Sequence, residues 1–311
     1  MDGRLPNQPN DLSWEVRLIL QDLNTSLANG PPDSSVWKEY PLSQRLWIII
    51  NEHLTALAGP LQYGYFSRTE TFVHQVPSPS HESLSQSFAQ LVTRKLYRLC
   101  REQGVRTFAG RVVHAGPPDS KAGSNSCRDL HQPDIFFSHV VLPKYGVAVE
   151  ITYAEKRDRL QELAEFYMLK SNRNTRLFIN IDYDRGRTWK VTLRTWRRDY
   201  TDPIGLRLRS RVQELRGEDG TLVPGPPLRV CMLDFARQEL VPPFLHGRDI
   251  ELSVEELGSV IEEADASDSE ETDSEQSDND TSMSDDPADT GTEEVVESEW
   301  PFERPGLLPF P

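Results

Sequence analysis

Residues 132 to 156, QPDIFFSHVVLPKYGVAVEITYAEK, decide the fold. They read as two short apolar strands joined by a Pro-Lys-Tyr-Gly turn, with Asp134 opening the first strand and Glu150 inside the second. Folded about Leu142, residues that face each other have numbers summing to 284, so Asp134 lies opposite Glu150. Two carboxylates at that separation repel unless they share a proton or a cation. Magnesium suits such a place, because it takes oxygen ligands and keeps several waters. The competing reading is structural: Asp134 begins a strand after Pro133, and Glu150 pairs with a nearby Arg or Lys.

Working outward, residues 82 to 101 carry Leu84, Phe88, Leu91, Val92, Leu96 and Leu99 at helical spacing, and residues 105 to 114 read as a strand. The small and polar run AGPPDSKAGSNSCRDLH is longer than most connections in a compact domain. On the other side of the hairpin, residues 157 to 169 form a helix through Leu160, Leu163, Ala164 and Tyr167. Residues 176 to 182, RLFINID, return as a strand parallel to the second hairpin strand, as a crossover helix requires. Upstream, residues 11 to 29 and 43 to 58 are amphipathic helices that make an N-terminal cap, and residues 63 to 76 hold one or two strands. Downstream, residues 229 to 233 form a strand, and Ser253 with Glu256 makes a capping box for a closing helix. The chain thus divides into a helical cap and strand segment over 1–76, an α/β domain over 77–264 and an acidic tail over 265–311.

The order helix, three strands, helix, strand, with Pro133-Asp134 opening the second strand and Glu150-Ile151-Thr152-Tyr153 in the third, resembles the PD-(D/E)XK nuclease-like superfamily, also called restriction-endonuclease-like, including its fungal members. The resemblance covers about residues 82 to 182 and implies an αβββαβ core with a mixed sheet. It further implies that Asp134 and Glu150 hold magnesium for phosphodiester hydrolysis, with Glu82 as an added acidic ligand. The superfamily's lysine, two residues after the Glu, falls on Thr152, whose hydroxyl donates a hydrogen bond but supplies no positive charge. Lys156, at the entrance to the next helix, is the residue able to swing in; its plain alternative is a solvated surface lysine. For Glu82 the plain alternative is a favourable interaction with a helix dipole. The departure at Thr152 keeps a second function open, a catalytically inactive binding or scaffolding protein regulated by its tail.

Net charge is -15 in 311 residues, yet residues 262 to 299 hold 17 Asp and Glu and no Lys or Arg, which leaves the remainder at +2. Residues 185 to 216 carry ten Lys and Arg against three acids. Read as a strand, this stretch buries Trp189, Val191 and Leu193 and exposes Lys190, Arg194, Trp196 and Arg198, a stripe suited to a nucleic-acid backbone with Trp196 stacking on a base. The alternative is a solvated face that protects a sheet edge. By composition the tail is disordered and self-repelling. Ser267, Thr272, Ser277 and Ser282 each have an acid three residues on, which suits an acidophilic kinase. The tail is expected to compete with nucleic acid over the basic stripe or to engage a protein partner, and the WPFERPGLLPFP end is a docking segment. Cys100, Cys127 and Cys231 are sparse and form no CxxC pair, which argues for a reducing compartment. With no apolar leader or spanning run, the expectation is a soluble cytoplasmic or nuclear protein without membrane contact.

Overall fold

The structure, a computed structural model, describes residues 12–28, 36–54, 62–102, 105–115, 129–171, 174–183, 188–201 and 207–267. The sequence expectations for the acidic tail and the WPF segment fall outside this set from residue 268 on. Among the described residues no helix is long and apolar enough to cross a membrane.

The fold is mixed α/β, centred on a six-stranded mixed sheet. The chain begins with α1 (Trp14–Ala28), β1 (Val36–Pro41), α2 (Gln44–Leu54), β2 (Gln62–Phe66) and β3 (Thr71–Val76). These strands form an antiparallel sheet in the order β1-β3-β2. The expected helical cap is therefore a helix-on-sheet layer, packed through Val16, Ile19, Leu23, Trp47, Ile50, Tyr65 and Phe72. Strand β1 was not legible in the sequence, because its alternation is too short to stand out beside the prolines around it.

Next come α3 (Pro79–Leu99), the short α4 (Arg106–Ala109), β4 (Val112–Ala115), β5 (Ile135–His139), β6 (Tyr145–Thr152), α5 (Leu160–Glu165) and β7 (Asn174–Tyr183). Helix α3 starts three residues before Glu82. Ser78 Oγ accepts from the His81 amide at 3.3 Å and Pro79 occupies the first turn, so the proline-serine run before residue 82 is the helix cap. The strand expected over residues 105–114 is half helix. Val105, Phe108, Ala109 and Val112 follow a spacing of three and four, which turns one face to the core rather than alternating faces.

The remaining elements are β8 (Val191–Arg198), β9 (Leu208–Arg216), β10 (Leu228–Cys231), α6 (Met232–Phe235), β11 (Asp249–Leu252) and α7 (Val254–Ser267). The large sheet runs β4-β5-β6-β7-β8-β9, and only the β6/β7 pair is parallel. The Ser253–Glu256 box is present: the Ser253 amide donates to Glu256 Oε2 at 3.0 Å, and the Glu256 amide to Ser253 Oγ at 3.2 Å.

Both faces of the large sheet are covered. Ile135, Phe137, Val147, Val149, Ile151, Ile179 and Leu193 pack under α3 and α7. Phe136, Ala148, Phe178 and Trp196 pack under α5 and the turn that follows it. Trp196, expected on an exposed face, is 1 % exposed, with its ring centroid 5.0 Å from that of Phe178. Alternation along β8 does separate two faces, but a helix covers the second face as well, so a buried tryptophan replaces a base-stacking one. Trp196→Ala is expected to cost about 3–5 kcal/mol in urea unfolding and to leave oligonucleotide affinity unchanged once the variant is compared at a temperature where it is folded.

Candidate functional site

The hairpin register is the one that brings Asp134 and Glu150 face to face. Ile135 pairs with Val149, Phe136 with Ala148, Phe137 with Val147 and Ser138 with Gly146, so each facing pair sums to 284. Gly146 is required at the turn end of this ladder, since a Cβ there would lie 1.8 Å from the Phe137 carbonyl oxygen. One step beyond Ile135, Asp134 stands opposite Glu150.

Lys156, four positions past Thr152 in the tight turn that precedes α5, folds back onto the same spot. Its Nζ donates to Glu150 Oε2 at 2.6 Å and to Gln75 Oε1 at 3.4 Å, and it sits 4.9 Å from the centroid of the Trp37 ring. Lysine 156 is thus a buried partner of the pair, not a solvated surface residue. Tyr167 donates its hydroxyl to Glu150 Oε1 at 2.5 Å. It lies in the widened π-type turn Phe166–Lys170 that continues α5, a kind of irregularity common at functional sites. Asp134 Oδ2 accepts the Ile151 amide at 2.6 Å, and Asp134 Oδ1 lies 3.3 Å from His81 Nε2 without a hydrogen-bonding alignment. Asp134, Glu150 and Lys156 are 7 %, 1 % and 4 % exposed.

Thr152 is fully buried and accepts a hydrogen bond from Asn180 Nδ2 at 2.8 Å, while the same amide donates to the Glu150 carbonyl at 3.1 Å. Its hydroxyl therefore serves the β6/β7 ladder. Glu82 is exposed on α3, away from the pair; its neighbour His81 is the residue of that turn that enters the site. Sequence reasoning missed His81, Gln75, Trp37 and Tyr167. The Ser78-Pro79 start signal could have phased α3 and directed attention to His81, and the apolar helical spacing over residues 157 to 169 includes Tyr167. Nothing local marks Gln75 or Trp37.

The proposed nucleic-acid residues do not form one exposed row. Lys190 pairs with Glu214 at 2.8 Å, Arg194 lies 5.6 Å from the Trp196 ring centroid, and Arg198 donates to the Met168 carbonyl.

The electrostatics follow from two carboxylates facing one ammonium in a dry place. Burial pushes the Glu150 carboxyl up; Lys156 opposes the shift and Asp134 adds to it, leaving it at about 7. For Lys156, burial pulls down but the Glu150 and Asp134 carboxylates outweigh it and hold the ammonium above its ordinary range. Burial also acts on Asp134, yet His81, Lys156 and the Ile151 amide hold its carboxyl well below the usual carboxylate range. His131, buried beside Phe66 and Phe166, is pushed well below the ordinary histidine value by burial and by Lys156 and Arg159, so it is a neutral wall of the site.

Beside Glu150, Lys156 and Tyr167, but not reaching Asp134, lies a void of about 20 Å³, room for about one water. Trp37, Gln62, Tyr63, Gly64 and Val73 of the N-terminal sheet close it over Glu150, Lys156 and Tyr167. Among the described residues no group of three or more His, Cys, Asp or Glu is arranged to hold a metal. The donor chemistry nonetheless fits magnesium, which commonly uses one or two carboxylates with waters and substrate phosphates. Asp134 Oδ1 is a buried carboxylate oxygen without a hydrogen-bond partner. No protein-family model and no curated protein matches the chain.

Glu150→Gln gives a test with a defined sign. A carboxyl raised from 4.5 to about 7 stabilises the fold fully below pH 4.5, and that contribution is lost as pH rises to about 7. Relative to Glu150→Gln, the wild type should lose roughly 3 kcal/mol of unfolding free energy between pH 4.5 and 7.5 in urea titrations. Parallel stability curves across that window would remove the assignment.

Proposed function

We propose that the chain is a nuclease-like protein of the restriction-endonuclease-like class, with a magnesium-dependent phosphodiesterase site on Asp134, Glu150 and Lys156 held closed by its N-terminal sheet. The observation that carries this reading is the 2.6 Å contact from Lys156 Nζ to Glu150 Oε2. It returns to the acidic pair the cation that Thr152 does not supply. The order α3, β4, β5, β6, α5, β7 and the parallel β6/β7 pair support the same class.

Asp134 and Glu150 would hold the metal, and the bound metal would acidify a water and neutralise charge on the phosphate in the transition state. The chain's own residues do the rest. The Ile151 amide and the Tyr167 hydroxyl fix the two carboxylates in orientation. Lys156 offers positive charge where a phosphate would enter. Trp37 and Gln75 exclude water from that charge until β1 and β3 move aside, and Glu39, bonded to Arg159 Nη2 at 2.6 Å and Nε at 2.9 Å, ties β1 to the start of α5.

A second reading has an observation of its own. Both Glu150 oxygens are taken and the void is the size of a single water, which favours a catalytically inactive relative in which the cluster pins the N-terminal sheet to the domain.

The two separate in one set of assays. Magnesium or manganese is titrated by calorimetry, and labelled single- and double-stranded DNA and RNA are tested for cleavage, with wild type, Asp134→Asn, Lys156→Met and Trp37→Ala. The nuclease reading expects metal binding that Asp134→Asn abolishes, cleavage at least about 100-fold slower in Lys156→Met, and faster cleavage in Trp37→Ala. Absence of metal heat and of cleavage in both wild type and a folded Trp37→Ala protein would leave the inactive reading.

A further inference from the structure

A second feature lies on the opposite face of the large sheet from Asp134 and Glu150. A groove of about 800 Å³ runs between β8, β9 and the segment leading into β10, lined among others by Arg197, Arg198, Arg209, Arg211 and Arg229. Residues 209 and 197, and 211 and 195, are register partners, and these odd-numbered positions share the face of Leu193 and Leu177 under α3 and α7. The catalytic candidates Glu150 and Thr152 are on the even face, so a strand tracking this groove would not pass over them.

Arg197 is committed to Asp234 at 2.5 Å. Arg209 meets Asp199, and Arg229 meets Glu251, each at 2.8 Å, but both arginines are more than 60 % exposed. Such surface pairs are worth about 0–1 kcal/mol and exchange partners readily. Arg211 is exposed and has no acidic partner among the described residues.

Helix α7 lies on this same face, and its C-terminal turn is anchored to the strand that builds the groove: Asp265 Oδ2 accepts from Arg216 Nη1 at 2.5 Å, and Asp265 also accepts the Tyr183 hydroxyl. From Arg216 to Arg211 and Arg209 is about 17–23 Å along β9, a span of about seven extended residues. Residues 268 to 299, which follow directly, hold 14 Asp and Glu and no Lys or Arg.

We infer that the acidic segment 268–299 docks in cis on the arginine groove of β8 and β9, and so keeps other polyanions off that face. Length, point of departure and charge agree, and the occupant is held by an effective concentration that no free ligand of equal charge has. The contact is electrostatic and solvent-exposed, so salt weakens it. Phosphorylation at Thr272 or Ser277 strengthens it by adding charge that arginine pairs well.

The test uses the full chain. Cleavage of the 268–299 segment by a glutamyl endopeptidase is followed by intact mass at low and high salt, in wild type, in Arg209→Glu/Arg211→Glu and in the milder Arg209→Gln/Arg211→Gln, with circular dichroism to verify folding. Docking predicts several-fold slower cleavage of wild type at low salt, with the protection lost in 0.5 M salt and in both variants. Equal cleavage rates in wild type and the variants at low salt would overturn it. A further variant of the full chain carries Asn and Gln in place of the acids from 268 to 280. It should bind a labelled oligonucleotide more tightly than wild type, through Arg209 and Arg211. Equal oligonucleotide affinity would also overturn the proposal, because removing the segment's charge would then have uncovered nothing.

Discussion

The structure is organised around a charge imbalance sealed away from water. Asp134 and Glu150 face each other across the β5/β6 ladder, and one ammonium, Lys156, stands between them and the N-terminal layer. Removing such groups from water costs several kcal/mol per ion unless each finds partners. The Ile151 amide, the Tyr167 hydroxyl and the Gln75 amide oxygen are those partners, and they come from three separate elements or their flanks. Burial raises the Glu150 carboxyl to about 7, with Lys156 opposing the shift and Asp134 adding to it.

The same imbalance connects the two layers of the molecule. Trp37 over Lys156, Gln75 beside it and the Glu39–Arg159 pair draw the β1-β3-β2 sheet down on the hairpin. The 129–131 segment seals the side, with the Tyr65 amide donating to the Leu130 carbonyl at 2.8 Å. Its His131 fits only because Gly64 lacks a Cβ, which would lie 2.3 Å from His131 Nδ1. A cluster with an excess charge gains solvation when uncovered, so the free energy of closing is smaller than the packing of this layer alone would suggest.

The large sheet keeps two kinds of chemistry apart. Its even face under α5 carries the acidic pair at the ends of β5 and β6, while the odd face of β8 and β9 carries arginines. Period-two alternation is enough to separate them, and α7 ends on the arginine side, where Asp265 meets Arg216 of β9.

The sequence by itself determined the hairpin, its register, the parallel return of β7 and the capped closing helix. These depend on local alternation, turn residues and side-chain caps, which neighbouring positions specify. It also determined that Asp134 meets Glu150, because a tight turn leaves one register that buries the apolar face. Only the tertiary structure decided that Lys156 completes the pair, that Trp196 is core and that Glu82 points away while His81 points in. Those outcomes depend on how helices and the N-terminal sheet cover faces that alternation leaves equivalent: an amphipathic strand shows which residues share a side, but not what is packed against it. Trp37 and Gln75 were beyond reach for the same reason, since they arrive from strands that lie 75 or more residues away in the chain and meet Lys156 through packing alone.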